Sequence, residues 1–181
     1  MPEQSSSLSS TAWSRIEIGL ALGSILLITL VAFEELAATT IMPSVIASYR
    51  ASAWYPLASG AALATQLSAT VVAGVLADWK GPRFVLVAGI ALFVAGLVVS
   101  ALAPTIVVFV AGRALQGLGG GLLVVPLYVL VGRLVAPARR PSFFAWFSLA
   151  WVLPSLIGPA IAGYVTQLWG WRYIFGVVPI L

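Results

Sequence analysis

Residues 105–131 read TIVVFVAGRALQGLGGGLLVVPLYVLV. At 1.5 Å per residue this run is long enough to cross a hydrocarbon core of about 30 Å. It carries a single charge, Arg113. Gln116 follows three residues later and therefore shares the helix face of Arg113. The glycines Gly117, Gly119, Gly120 and Gly121 come next. Such a cluster is poor for a soluble helix, but in lipid small residues let helices approach closely. A phosphate-binding reading fails, because the glycines lie within an apolar span and lack the Lys-Ser/Thr ending of a P-loop.

Working outward, the same kind of run recurs along the chain. Spans are expected at about 17–46, 53–77, 84–103, 105–131 and 143–165, with a sixth over 171–181. That last stretch covers about 15 Å, half the core thickness. It is expected to be incomplete, as in a chain truncated within its sixth span. Residues 1–15 are Ser-rich and read as a polar N-terminal tail, and 16–181 as one transmembrane half-domain. The composition agrees: of 181 residues, 61% are hydrophobic and only 8% charged. A soluble domain carries about 25% charged residues. The expected class is an all-α polytopic membrane protein.

The sequence contains no His and no Cys. This removes imidazole relays, Ser-His triads, thiolate metal sites and cysteine nucleophiles. No cofactor or metal is expected. The formal charge of +4 does not point to nucleic acid, because the basic residues sort by loop. Arg15, Lys80, Arg83, Arg133, Arg139 and Arg140 fall on one side, and only Arg50 and Arg172 on the other. Basic residues favour cytoplasmic loops. The N-terminus is therefore expected in the cytoplasm and the chain in the plasma or inner membrane.

Three ionisable groups sit deep in the expected spans: Glu34, Glu35 and Arg113. They occur only in the first and fourth, a period of three helices. Inverted three-helix repeats are a known plan for secondary transporters. Spans one and four are thus expected to face an interior cavity, with Glu34, Glu35, Arg113 and Gln116 as its polar groups. Glu34 and Glu35 are neighbours and point about 100° apart. One is expected to face the cavity and the other an adjoining helix. A carboxyl buried in lipid is a candidate proton carrier, and burial favours its neutral form. The competing reading is a buried ion pair with Arg113 that only holds the bundle.

Four motifs resemble the N-terminal half of the major facilitator superfamily, in particular its drug:proton antiporters. The turn Gly74-Val-Leu-Ala-Asp78-Trp-Lys-Gly81-Pro-Arg83 is similar to the family's cytoplasmic loop signature. Gly74, Asp78, Gly81 and Arg83 match it, while Trp79 and Pro82 stand where basic residues are usual. Arg113-Ala-Leu-Gln116-Gly117-Leu-Gly119 is similar to the fourth-span signature. Pro154-Ser-Leu-Ile-Gly158-Pro159-Ala-Ile-Ala162-Gly163 resembles the antiporter signature of the fifth. Gly158, Pro159 and Gly163 match there, and Pro154 and Ala162 replace glycines. Glu34 takes the position of the first-span acid, and Trp171-Arg172-Tyr-Ile-Phe175 resembles the opening of span six.

The resemblance implies two inverted three-helix repeats and a cavity shared with a C-terminal half. It implies a cytoplasmic gate at Gly74, Asp78, Gly81 and Arg83, proton coupling by Glu34 with Arg113 (Glu35 being the rival carrier), and helix packing by Gly158, Pro159 and Gly163. The expected function is proton-coupled export of a small amphipathic compound or drug. The expected partners are substrate, protons, the bilayer and the C-terminal half. A metabolite facilitator or symporter of the same fold is the first alternative. An intramembrane enzyme or structural module is the second, and it is disfavoured because few catalytic groups remain.

Overall fold

The computed structural model describes residues 13–177. The chain forms α1 (Arg15–Tyr49), α2 (Tyr55–Lys80), α3 (Pro82–Leu102), α4 (Ile106–Leu134), α5 (Arg140–Trp169) and the short α6 (Arg172–Val177). The first five are long and apolar enough to cross a membrane. Most of the expected tail, and the last four residues of the sixth span, lie outside the described residues.

The helices outrun their apolar cores. α1 has 35 residues, which at 1.5 Å each is about 52 Å, well beyond a core of about 30 Å. Its start is fixed two residues before the apolar run by a capping box. The Glu17 amide donates to Ser14 Oγ at 3.1 Å, and the Ser14 amide donates to Glu17 Oε2 at 3.0 Å. The pattern Ser-x-x-Glu satisfies two orphan amides at once. At its other end Arg50 takes the left-handed conformation, φ 51°, and closes the helix with a bond to Ala47 O.

α2 and α3 are joined by Gly81 alone, at φ 86° and ψ 148°, with Pro82 opening α3. That backbone region is reserved for glycine, and a side chain there costs about 1–3 kcal/mol. Gly81→Ala is expected to destabilise the detergent-solubilised chain by that amount, read as a lower thermal midpoint. Gly163→Ala, at a site with nothing within 4 Å of a Cβ, is the neutral control. Equal midpoints for both would show that the turn tolerates another geometry.

α4 is the axis of the bundle. It packs on α2 along one side and on α3 along the other, while α1 packs mainly on α5. The glycines set these contacts. A Cβ on Gly117 would overlap the Ala62 backbone, and one on Gly121 would overlap Gln66 O and Ala69, both on α2. Gly119 faces the Phe93 backbone, and Gly112 the Ser100 amide at 2.8 Å, on α3. α3 answers with Gly96, which lies against the Gln116 backbone. α2 presents a buried row of alanines, Ala58, Ala62, Ala69, Ala73 and Ala77. Small residues on every facing surface let backbones meet, the packing mode that lipid favours.

α1 on α5 and α4 on α2 are equivalent pairings if residues 15–102 and 106–177 are taken as two repeats. The first helix of each repeat packs on the second helix of the other. This is the arrangement expected of inverted three-helix units.

Candidate functional site

α1 and α4 each bring polar groups to the middle of the bundle. Glu34, wholly buried, accepts two bonds from Arg113 Nη1, at 2.9 Å to Oε1 and 3.1 Å to Oε2. The same Nη1 donates to Gln116 Oε1 at 2.7 Å. Gln116 Nε2 in turn donates to Glu34 Oε2. The three side chains close a triangle in which each member bonds the other two. The three-residue spacing puts Arg113 and Gln116 on one face, so a single carboxylate reaches both. Phe175, in the first turn of α6, lies with its ring centroid 5.8 Å from the guanidinium carbon and covers that side.

Glu35 points elsewhere. With Thr39 of α1, Ser59 and Gln66 of α2, and Arg113 of α4, it lines a cavity of about 130 Å³. That space holds several waters. Glu35 Oε1 is buried and has no hydrogen-bond partner, and neither does Arg113 Nε. Thr39 Oγ1 donates to the backbone of Glu35 at 2.9 Å. Arg113 thus borders both carboxylates: it bonds Glu34 and lines the cavity of Glu35. Within this group two negative charges face one positive charge when both acids are ionised.

Of the two adjacent acids, one turns to another helix and the other to a cavity. The ion pair with Arg113 is also present, on Glu34. Gln66 and Ser59 were not singled out from the sequence. Gln66 is the signal that was readable, an amide in the middle of an otherwise apolar span.

The expected gate residues sit at one end of the bundle. Asp78 is exposed and makes no ion pair among the described residues. Gly74 has open space around it. The tight contact expected at Gly158 and Gly163 is not made among the described residues. A Cβ on Gly158 would meet Phe33 at an ordinary 3.5 Å, and one on Gly163 would meet nothing within 4 Å. The close approaches belong to the α4 glycines. Pro154 and Pro159 both lie within α5, each removing one backbone donor from a helix that nevertheless runs on to Trp169.

Two clasps flank the site. At the end that carries most basic residues, Arg139 bonds Glu17 at 2.8 Å and its guanidinium lies 5.2 Å over Trp13, which stacks on Trp146. At the other, Tyr49 OH and Arg172 Nη2 both donate to Ala103 O, at 2.7 and 2.9 Å. Trp171 Nε1 donates to Ser48 Oγ at 3.1 Å. These bonds tie α1 to the α4–α5 connection at one end, and α1, α3 and α6 together at the other.

The sequence profile of the Major Facilitator Superfamily matches residues 24–181. A probable multidrug-efflux transporter of Mycobacterium tuberculosis is 32% identical over 154 residues, 85% of this chain and 33% of that protein. A multidrug transporter of Bacillus subtilis is 29% identical over 136 residues, 75% of this chain and 25% of that protein. The chain thus spans a quarter to a third of the length of these relatives. Among solved structures, a D-xylose-proton symporter superposes with a TM-score of 0.80, covering 92% of this chain and 46% of that one at 18% identity. That likeness is one of fold.

Proposed function

This chain belongs to the Major Facilitator Superfamily, and we propose that it is the N-terminal half of a proton-coupled exporter of small amphipathic compounds. The observation that carries the reading is the Glu34–Arg113–Gln116 triangle with Glu35 at the cavity beside it. The names of the bacterial relatives support export of drugs rather than uptake of a nutrient. The excess of basic residues at one end supports a cytoplasmic setting for that end and for the N-terminus.

In this reading Glu35 takes the proton first. One of its carboxylate oxygens has no hydrogen-bond partner and the residue lines the cavity, whereas Glu34 is fully bonded. Protonation of Glu35 leaves Arg113 balanced by Glu34 alone. Loss of that proton restores a second negative charge beside the guanidinium. Arg113 then has two carboxylates within its range and can shift from one toward the other. Substrate and proton thereby favour different arrangements of α1 against α4, which alternating transport requires. A C-terminal half supplies the facing wall of the cavity.

The experiment is infrared difference spectroscopy of the chain in lipid, titrated with pH. The sequence has only five carboxyl side chains, so the protonated-carboxyl band is assignable by substitution. The component assigned to Glu35 is expected to titrate in the parent and in Glu34→Gln, and to be missing in Glu35→Gln. A band that survives Glu35→Gln and disappears in Glu34→Gln would move the proton to the triangle. No titrating band assignable to either acid would refute coupling in this half.

A further inference from the structure

At the end of the bundle away from Tyr49, a cleft of about 340 Å³ opens between the α2–α3 turn and the last turns of α4. Lys80 and Arg83 line it from the turn, and Arg133 from α4. No carboxylate lies within ion-pair distance of any of the three among the described residues. Asp78, the nearest acid in sequence, pairs with none of them. Its apolar lining is Leu130 and Leu134, the latter 40% exposed, and beside Lys80 stand two further open apolar side chains, Phe84 at 52% and Trp79 at 78%. The ammonium of Lys80 lies 5.2 Å from the Trp79 ring and 5.1 Å from the Phe84 ring. Gly81 lines the cleft, and a Cβ there would meet nothing within 4 Å.

We propose that this cleft binds the phosphate headgroup of an anionic membrane lipid, such as phosphatidylglycerol, with its chains lying on the apolar rim. Three exposed cations without a protein counter-charge, gathered at the end of membrane-crossing helices, concentrate positive potential there and favour an anion. The bilayer surface supplies one that brings acyl chains with it, matching the exposed Trp79, Phe84 and Leu134. Basic pockets between helices at the membrane surface are suited to such headgroups, each Lys or Arg contributing about five-fold in affinity. The orientation given under Proposed function enters only in naming the cytoplasmic leaflet as the source. The proton chemistry at Glu35 is independent of this cleft, so either reading can fail alone.

Lys80 is the only lysine in the sequence, which makes it a built-in probe. The chain is reconstituted in vesicles of phosphatidylcholine, or of equimolar phosphatidylcholine and phosphatidylglycerol, and treated with a water-soluble acylating reagent. Acylation at Lys80 is read by mass spectrometry against the N-terminal amine. Phosphatidylglycerol is expected to slow Lys80 several-fold relative to that reference. In Arg83→Gln and in Arg133→Gln the affinity should fall by about five-fold, which removes most of that protection although the vesicle surface is unchanged. Circular dichroism checks that both variants keep their helix content; both positions are exposed. Three results would overturn the proposal. Equal protection in pure phosphatidylcholine would mean that a protein segment covers the cleft. Equal protection by millimolar glycerol phosphate would mean a soluble ligand. Protection that survives both arginine substitutions would mean a general surface effect.

Discussion

Gly119→Leu is expected to prevent the bundle from assembling. A Cβ at Gly119 would already overlap the Phe93 backbone of α3, and the Gly89 carbonyl lies 2.7 Å away. Ordinary overpacking costs about 1–3 kcal/mol, because side chains rotate aside. Here the obstacle is main chain, so α4 must part from α3 along its length. Gln116 would move with it, opening the triangle. The measurement is the fraction of monodisperse protein after mild detergent extraction, with Gly132→Leu as control, since nothing lies within 4 Å of that site. Little monodisperse Gly119→Leu is expected, beside a normal yield of the control. Matching profiles for the two would mean that α4 does not meet α3 as described.

The second large effect is expected at Arg113. Its removal leaves Glu34 wholly buried with only the Gln116 amide for company. Breaking one partner of a buried pair typically costs about 3–5 kcal/mol, whereas replacing both by apolar groups of similar volume is often neutral. Arg113→Ala should therefore lower the thermal midpoint in detergent sharply. The double variant Glu34→Leu/Arg113→Met should recover most of the loss while abolishing any proton-coupled activity. That contrast separates the pair's part in stability from its part in coupling. If the double variant melts as low as Arg113→Ala, the stability resides in other contacts of Arg113, such as Phe175.

Much of this architecture was legible because membrane helices are written in long apolar runs. The runs around 17–46, 53–77, 84–103, 105–131 and 143–165 each became a helix. Their ends were less legible. Apolar runs mark the lipid core, whereas hydrogen bonds end the helix, and Ser14 and Gly81 act outside the runs. Membership of the site was readable too, since Glu34, Glu35 and Arg113 are the only deep charges. The rotation of α1 was not. Apolar residues surround both acids, so nothing in the pattern said which would turn to α4. Small residues gave mixed guidance. The α4 glycines make backbone contacts, while Gly158 and Gly163, in a motif chosen by resemblance, meet no backbone among the described residues. Glycine licenses a close approach without naming its partner. The alanine row of α2 shows the same ambiguity from the other side.

The pairing of first helix with second across the repeats has a consequence for synthesis. α1 meets few of its partners until α4 and α5 exist, and Glu34 is 79 residues ahead of Arg113. At about 5–20 residues per second, roughly 4–16 s pass between them on the ribosome. During that interval α1 carries two acids with no guanidinium to receive them. The nascent helix must wait in a proton-rich, neutral form, or beside the insertion machinery rather than in bulk lipid. The order of the helices along the chain means that the Glu34–Arg113 pair can form only after α4 has been made.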